Sequence, residues 1–152
     1  MTSLEPGLRH LCDMSIDLDL QAIPSPAGNR MHFALVQGIC TGERLSGTFR
    51  SNSGDWMTFG TDLIGRLDVR ATLETHDSEL VHMTNTGRIV LDEKTIGRLG
   101  AGEHLSSKDI YARSAPLFEA APGPYAWLNA MTTVAVNEIA LDHVDYRIFE
   151  VL

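Results

Sequence analysis

The sequence predicts an all-β protein: an antiparallel barrel or sandwich of about nine or ten short strands, forming one domain over residues 1–152. Three observations predict it. The stretch Leu67-Asp68-Val69-Arg70-Ala71-Thr72-Leu73-Glu74-Thr75 alternates apolar and polar residues without a fault. That is the period-two pattern of a strand, whose successive side chains point to opposite faces. Other short apolar runs recur along the chain between turns rich in Gly, Pro and Ser, and a helical period is nearly absent.

Taken in order, Met1 to Cys12 has no period, and Glu5-Pro6-Gly7 makes a turn-rich start. Met14 to Ala22 alternates as a strand and breaks at Pro24 to Asn29. Met31 to Gly38 is a more continuous apolar run, as expected of a strand buried on both faces. Leu45 to Arg50 is a short strand, Ser51 to Asp55 a turn by composition, and Trp56 to Phe59 a further strand. The run from Leu63 enters the long alternating strand, and His76 to Glu79 then turns the chain into a second β run, Leu80 to Thr86. A four-residue connection pairs Thr75 with Leu80, Thr72 with Met83 and Arg70 with Asn85, and sets His82 opposite Leu73. Asp92 to Ile110 breaks the rhythm; Gly97, Gly100 and Gly102 argue against a long helix there, and Ser106 or Ser107 is a fitting N-cap for a short one. Strands resume at Tyr111 to Glu119, at Tyr125 to about Asn137 after Pro122-Gly123-Pro124, and at Tyr146 to Leu152.

Composition narrows the function classes. The chain carries 20 Asp and Glu against 12 Lys and Arg, a net charge of −8 with no basic cluster. Phosphate backbones need a basic surface, so nucleic acid is not expected as a partner. No run of about eighteen apolar residues is present, so no membrane-spanning helix is expected. Residues 1–9 lack the pattern of a signal peptide, and Cys12 and Cys40 have no CxxC spacing; a cytoplasmic location with two buried thiols is the expectation. There is no GxGxxG, no GxxxxGK[ST] and no GxSxG, and the six histidines form neither HxH nor HExxH. Neither a cofactor nor a metal site is expected. Any chemistry would be proton transfer by side chains alone.

Four groups are candidates for it. Asp55 and Trp56 set an acid beside a large aromatic at a turn-to-strand boundary. Asp68, Arg70, Thr72 and Glu74 form one face of the long strand, which is either the wet face of an antiparallel sheet or a charged cavity wall. Tyr111, Arg113 and Glu119 share a parity, and a carboxylate just beyond Phe118 suits a general acid or base if desolvation raises its pKa. Tyr125, Trp127, Asn129 and Met131 share a strand face, combining flat apolar surface with one oriented amide, as a ligand wall does.

The same groups carry a family resemblance. Gly42-Glu43-Arg44-Leu45-Ser46-Gly47, the turn Ser53-Gly54-Asp55-Trp56, the strand from Leu67 to Asp77, Pro116 to Glu119, and Tyr125 to Asn129 occur in that order. Over about Leu11 to Val151 the chain resembles the domain of unknown function 3237 family, the UPF0311-like, small lipocalin-like β-barrels of bacteria and fungi. The resemblance implies an antiparallel, lipocalin-like barrel with an internal cavity and little helix, often a homo-oligomer. Members can sit in gene sets for small aromatic or polyketide-like molecules. That implies cofactor-free isomerase, cyclase or lyase/hydratase chemistry of secondary metabolism, although a family label does not set an activity. Ser53 stands where the family has a glycine, Ala71 where an aromatic is common, and Asp92 to Ile110 is longer than usual.

The resulting expectation has Asp68 or Glu119 as general acid or base and Arg70 stabilising a developing oxyanion. Asp55, Trp56, Met83, Tyr125 and Trp127 would bind the substrate, and Asn129 would orient it. The alternatives are a carrier barrel that binds a small hydrophobic ligand without chemistry, and an oligomer-forming module whose interior is filled by its own side chains.

Overall fold

The computed structural model describes residues 4–26 and 28–152. Met1, Thr2 and Ser3 of the expected turn-rich start, and Ala27 of the Pro24 to Asn29 break, lie outside the described residues. Among the described residues nine strands form one antiparallel sheet: β1 (Leu8–Ile23), β2 (Asn29–Thr41), β3 (Gly47–Phe49), β4 (Gly54–Phe59), β5 (Ile64–Thr75), β6 (Leu80–Val90), β7 (Tyr111–Ala120), β8 (Thr133–Ala140) and β9 (His143–Val151). One helix, α1 (Glu93–Gly100), and one 3₁₀ turn (Ala126–Ala130) interrupt them.

The sheet closes on itself. Neighbours run β1-β9-β8-β7-β6-β5, β5 pairs with both β3 and β4, these pair with β2, and β2 returns to β1. The short strands β3 and β4 share one position in the wall, because β3 lies between β2 and the Leu73–Thr75 end of β5 and β4 lies between β2 and its Gly65–Arg70 stretch. The result is the expected antiparallel barrel, with eight positions round its wall. Between β7 and β8 the closure rests on two pairs, Arg113 with Val136 and Ser114 with Ala135, and a closed sheet needs no covering layer to protect its edges.

The alternation of β5 sets the inside. Leu67, Val69, Ala71 and Leu73 are buried, and Leu73 is 0% exposed. They meet Met83, Val81 and Phe118 from β6 and β7, and Met14, Ile16, Tyr146 and Ile148 from β1 and β9. Gly47 is required where β3 crosses β5: a Cβ there would stand 2.1 Å from the Glu74 carbonyl oxygen.

Several expectations are corrected. The last β5–β6 pair encloses five residues rather than four, so Glu74, not Thr75, pairs with Leu80. Thr75, the last residue of β5, closes the turn: its Oγ1 accepts the Glu79 N–H at 2.9 Å and donates to Asp77 Oδ1 at 2.6 Å, with Ser78 at φ 68°. That one-residue slip sets Met83 opposite Ala71, Asn85 opposite Val69, and His82 opposite Thr72, and thereby exchanges the two faces. β2 is half-buried rather than buried on both sides, since Met31, Phe33 and Leu35 pack on the core while Val36 and Ile39 are exposed. The barrel's outer wall carries no second layer at that strand.

The helix lies at Glu93–Gly100, not after Ser106. Asp92 caps it by accepting the Thr95 N–H at 2.8 Å, while Thr95 Oγ1 accepts the Asp92 N–H at 2.8 Å, a reciprocal capping box. Ser106 instead begins a turn closed by Asp109. The strand expected from Tyr125 is a 3₁₀ turn, in which the Leu128 N–H donates to the Tyr125 carbonyl at 3.0 Å, and β8 starts only at Thr133. The first strand begins at Leu8 and the last at His143, both earlier than alternation alone indicated.

Candidate functional site

A cavity of about 260 Å³ lies inside the barrel. Its wall is mostly aliphatic, thioether and aromatic, drawn from β1, β2, β3, β4, β5, β6, β8 and β9. Ile96 and Leu99 of α1 and Leu141 of the β8–β9 turn also line it. Among the described residues no Lys or Arg contributes to the wall. A site of this size falls just below the roughly 300–1,000 Å³ usual for drug-sized ligands, and suits a compound of one or two rings.

Five polar residues enter this apolar wall: Ser53, Asp55, Asn137, His143 and Tyr146. Asp55 is on β4, whose inward residues Asp55, Met57 and Phe59 alternate with Trp56 and Thr58. Its Oδ1 accepts the backbone N–H of Asp68 at 2.9 Å. Burial pushes its carboxyl up to about 7; the Asp68 N–H works against that, and the Asp68 charge adds to it. Ser53 Oγ accepts the Thr72 N–H at 3.0 Å, a bond that a glycine at this position could not make.

Asn137 and Tyr146 are direct cross-strand partners on β8 and β9. Tyr146 is 5% exposed, and no hydrogen bond among the described residues acts on its hydroxyl. Burial raises its pKa, and the Asp55 carboxylate raises it further, which puts the two groups within electrostatic reach of each other. Asn137 is 0% exposed; its Oδ1 accepts the Ser114 hydroxyl at 3.2 Å, and its Nδ2 has no partner. A second buried amide, Asn85, has neither amide atom partnered and sits between Val69 and Pro116. A buried polar group left without a partner costs about 1–3 kcal/mol, so these amides are maintained against the stability of the fold.

His143 stands where the β8–β9 turn meets β1. It bonds Asp17 through Nδ1 at 2.7 Å and Asp145 through Nε2 at 2.9 Å. Burial alone would lower its pKa, but the two carboxylates outweigh burial and the net direction is upward.

The residues expected to do chemistry separate into two sets. Asp55 and Met83 line the cavity. Asp68 and Arg70 do not: they point outward, pair loosely with each other at 3.6 Å, and keep side-chain exposures of 51% and 66%. With the inward face of β5 taken by Leu67, Val69 and Ala71, strand geometry leaves them only the outer face. Glu119 is likewise on the outer side of β7, opposite His82. Trp56 is outside too, 43% exposed and stacked on His32 with centroids 4.7 Å apart.

Tyr125, Trp127 and Asn129 are not one strand face, and none lines the cavity. Tyr125 donates its hydroxyl to Asp77 at 2.7 Å, and Trp127 Nε1 donates to the Pro124 carbonyl at 3.0 Å beneath the Arg44 guanidinium. The Asn129 side chain clasps both backbone groups of Ala120 at 2.8 Å each. Their work is to fasten the 3₁₀ turn to the barrel. Sequence reasoning passed over Asn137, Tyr146 and His143; the signal was the alternation in Thr133-Val134-Ala135-Val136-Asn137, where Thr133, Ala135 and Asn137 are buried and the valines are not.

Comparison with known proteins agrees with this architecture. The chain matches the family described as Protein of unknown function (DUF3237) over residues 6–151. It is 26% identical over 125 residues to the UPF0311 protein RPA1785 of Rhodopseudomonas palustris, covering 82% of each chain. The crystal structure of the conserved protein of unknown function RPA1785 superposes with a TM-score of 0.89 at 22% identity, covering 99% of this chain and 100% of that one. A structure described as an enzyme from Penicillium herquei has a TM-score of 0.73 at 17% identity, covering 100% of this chain and 98% of that one. These two likenesses establish the barrel fold.

Proposed function

The chain belongs to the DUF3237 family of proteins of unknown function, and from that premise we propose that it is a cofactor-independent enzyme acting on a small aromatic or polyketide-like molecule held inside the barrel. Asp55 is the acid–base group. The observation that carries this reading is a lone carboxyl in an apolar cavity with its pKa pushed up to about 7. A carboxyl poised there gives and takes protons with equal ease near neutral pH, which is what isomerisation, cyclisation and hydration each require. Asp68, Glu119 and Arg70 drop out of the mechanism because they face away from the cavity. That a barrel of this shape is described as an enzyme in Penicillium herquei supports a catalytic reading, although fold alone does not fix function. Self-association into a homo-oligomer belongs to the same proposal and is read by sedimentation velocity.

The test is a panel of phenols and enones incubated with the protein and analysed for products by mass spectrometry. Any product formed is expected to fall by about 10²-fold or more with Asp55→Asn. Undiminished turnover by that variant overturns the assignment. Saturable binding across the panel with no product favours a carrier barrel instead.

A further inference from the structure

We infer that Asn137 Nδ2 and the Tyr146 hydroxyl form a two-donor anchor for a single oxygen of the ligand, and that the ligand is an uncharged, mostly apolar ketone, enone or phenol. The inference deepens the proposed function by naming the substrate class of the same cavity, and it rests on that cavity being the binding site.

The geometry carries it. Asn137 and Tyr146 face each other across the β8–β9 pair and both line the cavity. The Asn137 amide is wholly buried and held by the Ser114 hydroxyl on its oxygen, which leaves its nitrogen without a partner. On the Tyr146 hydroxyl only burial and the Asp55 charge act, with no hydrogen bond among the described residues. A buried donor is nearly always satisfied, so the unpartnered Asn137 nitrogen, cross-strand from a cavity-lining tyrosine, marks the place of an acceptor that the described residues do not themselves supply. Asp55, within electrostatic reach of Tyr146, is the group that would take a proton from, or return one to, a molecule held by its oxygen there.

Charge decides between acceptor classes. A carboxylate or phosphate entering this wall would meet Asp55 and no Lys or Arg. It would lose its hydration, and the one histidine of the wall, His143, is already held between the Asp17 and Asp145 carboxylates. A carbonyl or phenol oxygen is neutral in the ground state and gains negative charge only as a proton leaves the molecule. Two fixed neutral donors stabilise that charge where it develops, the role expected of an oxyanion hole. Ser114 is a positioning residue here, since it acts through the orientation of the Asn137 amide.

The test is calorimetric binding of three probes of one shape, 2-naphthol, naphthalene and 2-naphthoate at pH 7.5, to the wild type and to Asn137→Leu, Tyr146→Phe and Ser114→Ala, each first shown to melt cooperatively. Wild-type protein is expected to prefer 2-naphthol to naphthalene and to reject 2-naphthoate. Asn137→Leu and Tyr146→Phe are each expected to weaken 2-naphthol by about tenfold while leaving naphthalene within about twofold. Ser114→Ala is expected to give a smaller loss in the same direction. Should Asn137→Leu fail to fold, Tyr146→Phe, which deletes one atom, decides the outcome by itself. Equal losses for both neutral probes, no losses, no saturable 2-naphthol binding, or 2-naphthoate bound as tightly as 2-naphthol would each overturn the anchor. Turnover does not enter this measurement: a barrel without chemistry can pass it, and an acid–base enzyme that holds its substrate otherwise fails it.

Discussion

The backbone N–H of Asp68 donates to the Asp55 side chain at 2.9 Å across the β4–β5 pair. The two carboxylates thus belong to one electrostatic unit while facing opposite ways, Asp55 to the cavity and Asp68 outward. The outer residue acts on the inner one through its charge and its amide, with opposite signs.

The first consequence concerns that coupling. Asp68→Asn removes a negative charge that raises Asp55 but keeps the N–H that lowers it. The Asp55 titration midpoint, followed by carboxyl ¹³C NMR, is expected to move below about 7. An unchanged midpoint would mean that the two charges do not interact.

Stability should carry the signature of Asp55 with a definite sign. The unfolded chain releases this proton near the ordinary value of 3.8, whereas the folded chain holds it to about 7. Between those values the folded state binds more protons, so its stability falls as pH rises. At 1.36 kcal/mol per pH unit the gap corresponds to at most roughly 4 kcal/mol. Asp55→Asn is therefore expected to gain on the wild type between pH 4 and pH 8 in urea unfolding. The carboxylates held low by partners, such as Asp77 and Glu150, contribute equally to both proteins and cancel in the difference.

Surface charges that looked catalytic should prove silent. Arg70→Ala and Glu119→Gln change residues whose side chains lie outside the cavity. Unfolding free energies within about 0.5 kcal/mol of wild type are expected, together with unchanged ligand affinity. A large loss of binding in either variant would contradict the outward placement of these strand faces.

Backbone approach makes a further demand at Gly87. A Cβ at this position would stand 2.3 Å from the Arg113 carbonyl oxygen and 2.6 Å from the Ser114 Cβ. Gly87→Ala must spread β6 from β7 and is expected to cost about 1–3 kcal/mol or more in urea unfolding. Because Ser114 orients Asn137, a folded variant should also bind 2-naphthol more weakly.

Much of the barrel was legible in the residues. The alternation of β5 and the turn chemistry at Ser51–Asp55 and Pro122–Pro124 marked strands and breaks at nearly the right places. Short-range rules suffice for such features because side-chain parity and turn geometry are local. The capping box at Asp92 and Thr95 was equally local, yet the glycines inside the helix masked it; a Cβ at Gly97 or Gly100 would meet nothing within 4 Å, so neither glycine serves packing.

The site was less legible, for a physical reason. Alternation separates two faces but does not name the face that a closed sheet turns inward, and a one-residue difference in the Thr75–Glu79 turn exchanges the pairing of every residue beyond it. Tyr125, Trp127 and Asn129 have the composition of a ligand wall, but three-residue hydrogen bonding turns them into a clamp outside the cavity. By itself the sequence determined the fold class, the family and the positions of most strands, all consequences of local pattern. Only the closed tertiary structure decided that Asp55 of β4 shares one apolar interior with Asn137 and Tyr146 of the distant β8–β9 hairpin, while Asp68 and Arg70 face outward. Burial and partnership are properties of the closed wall, and no single strand contains them.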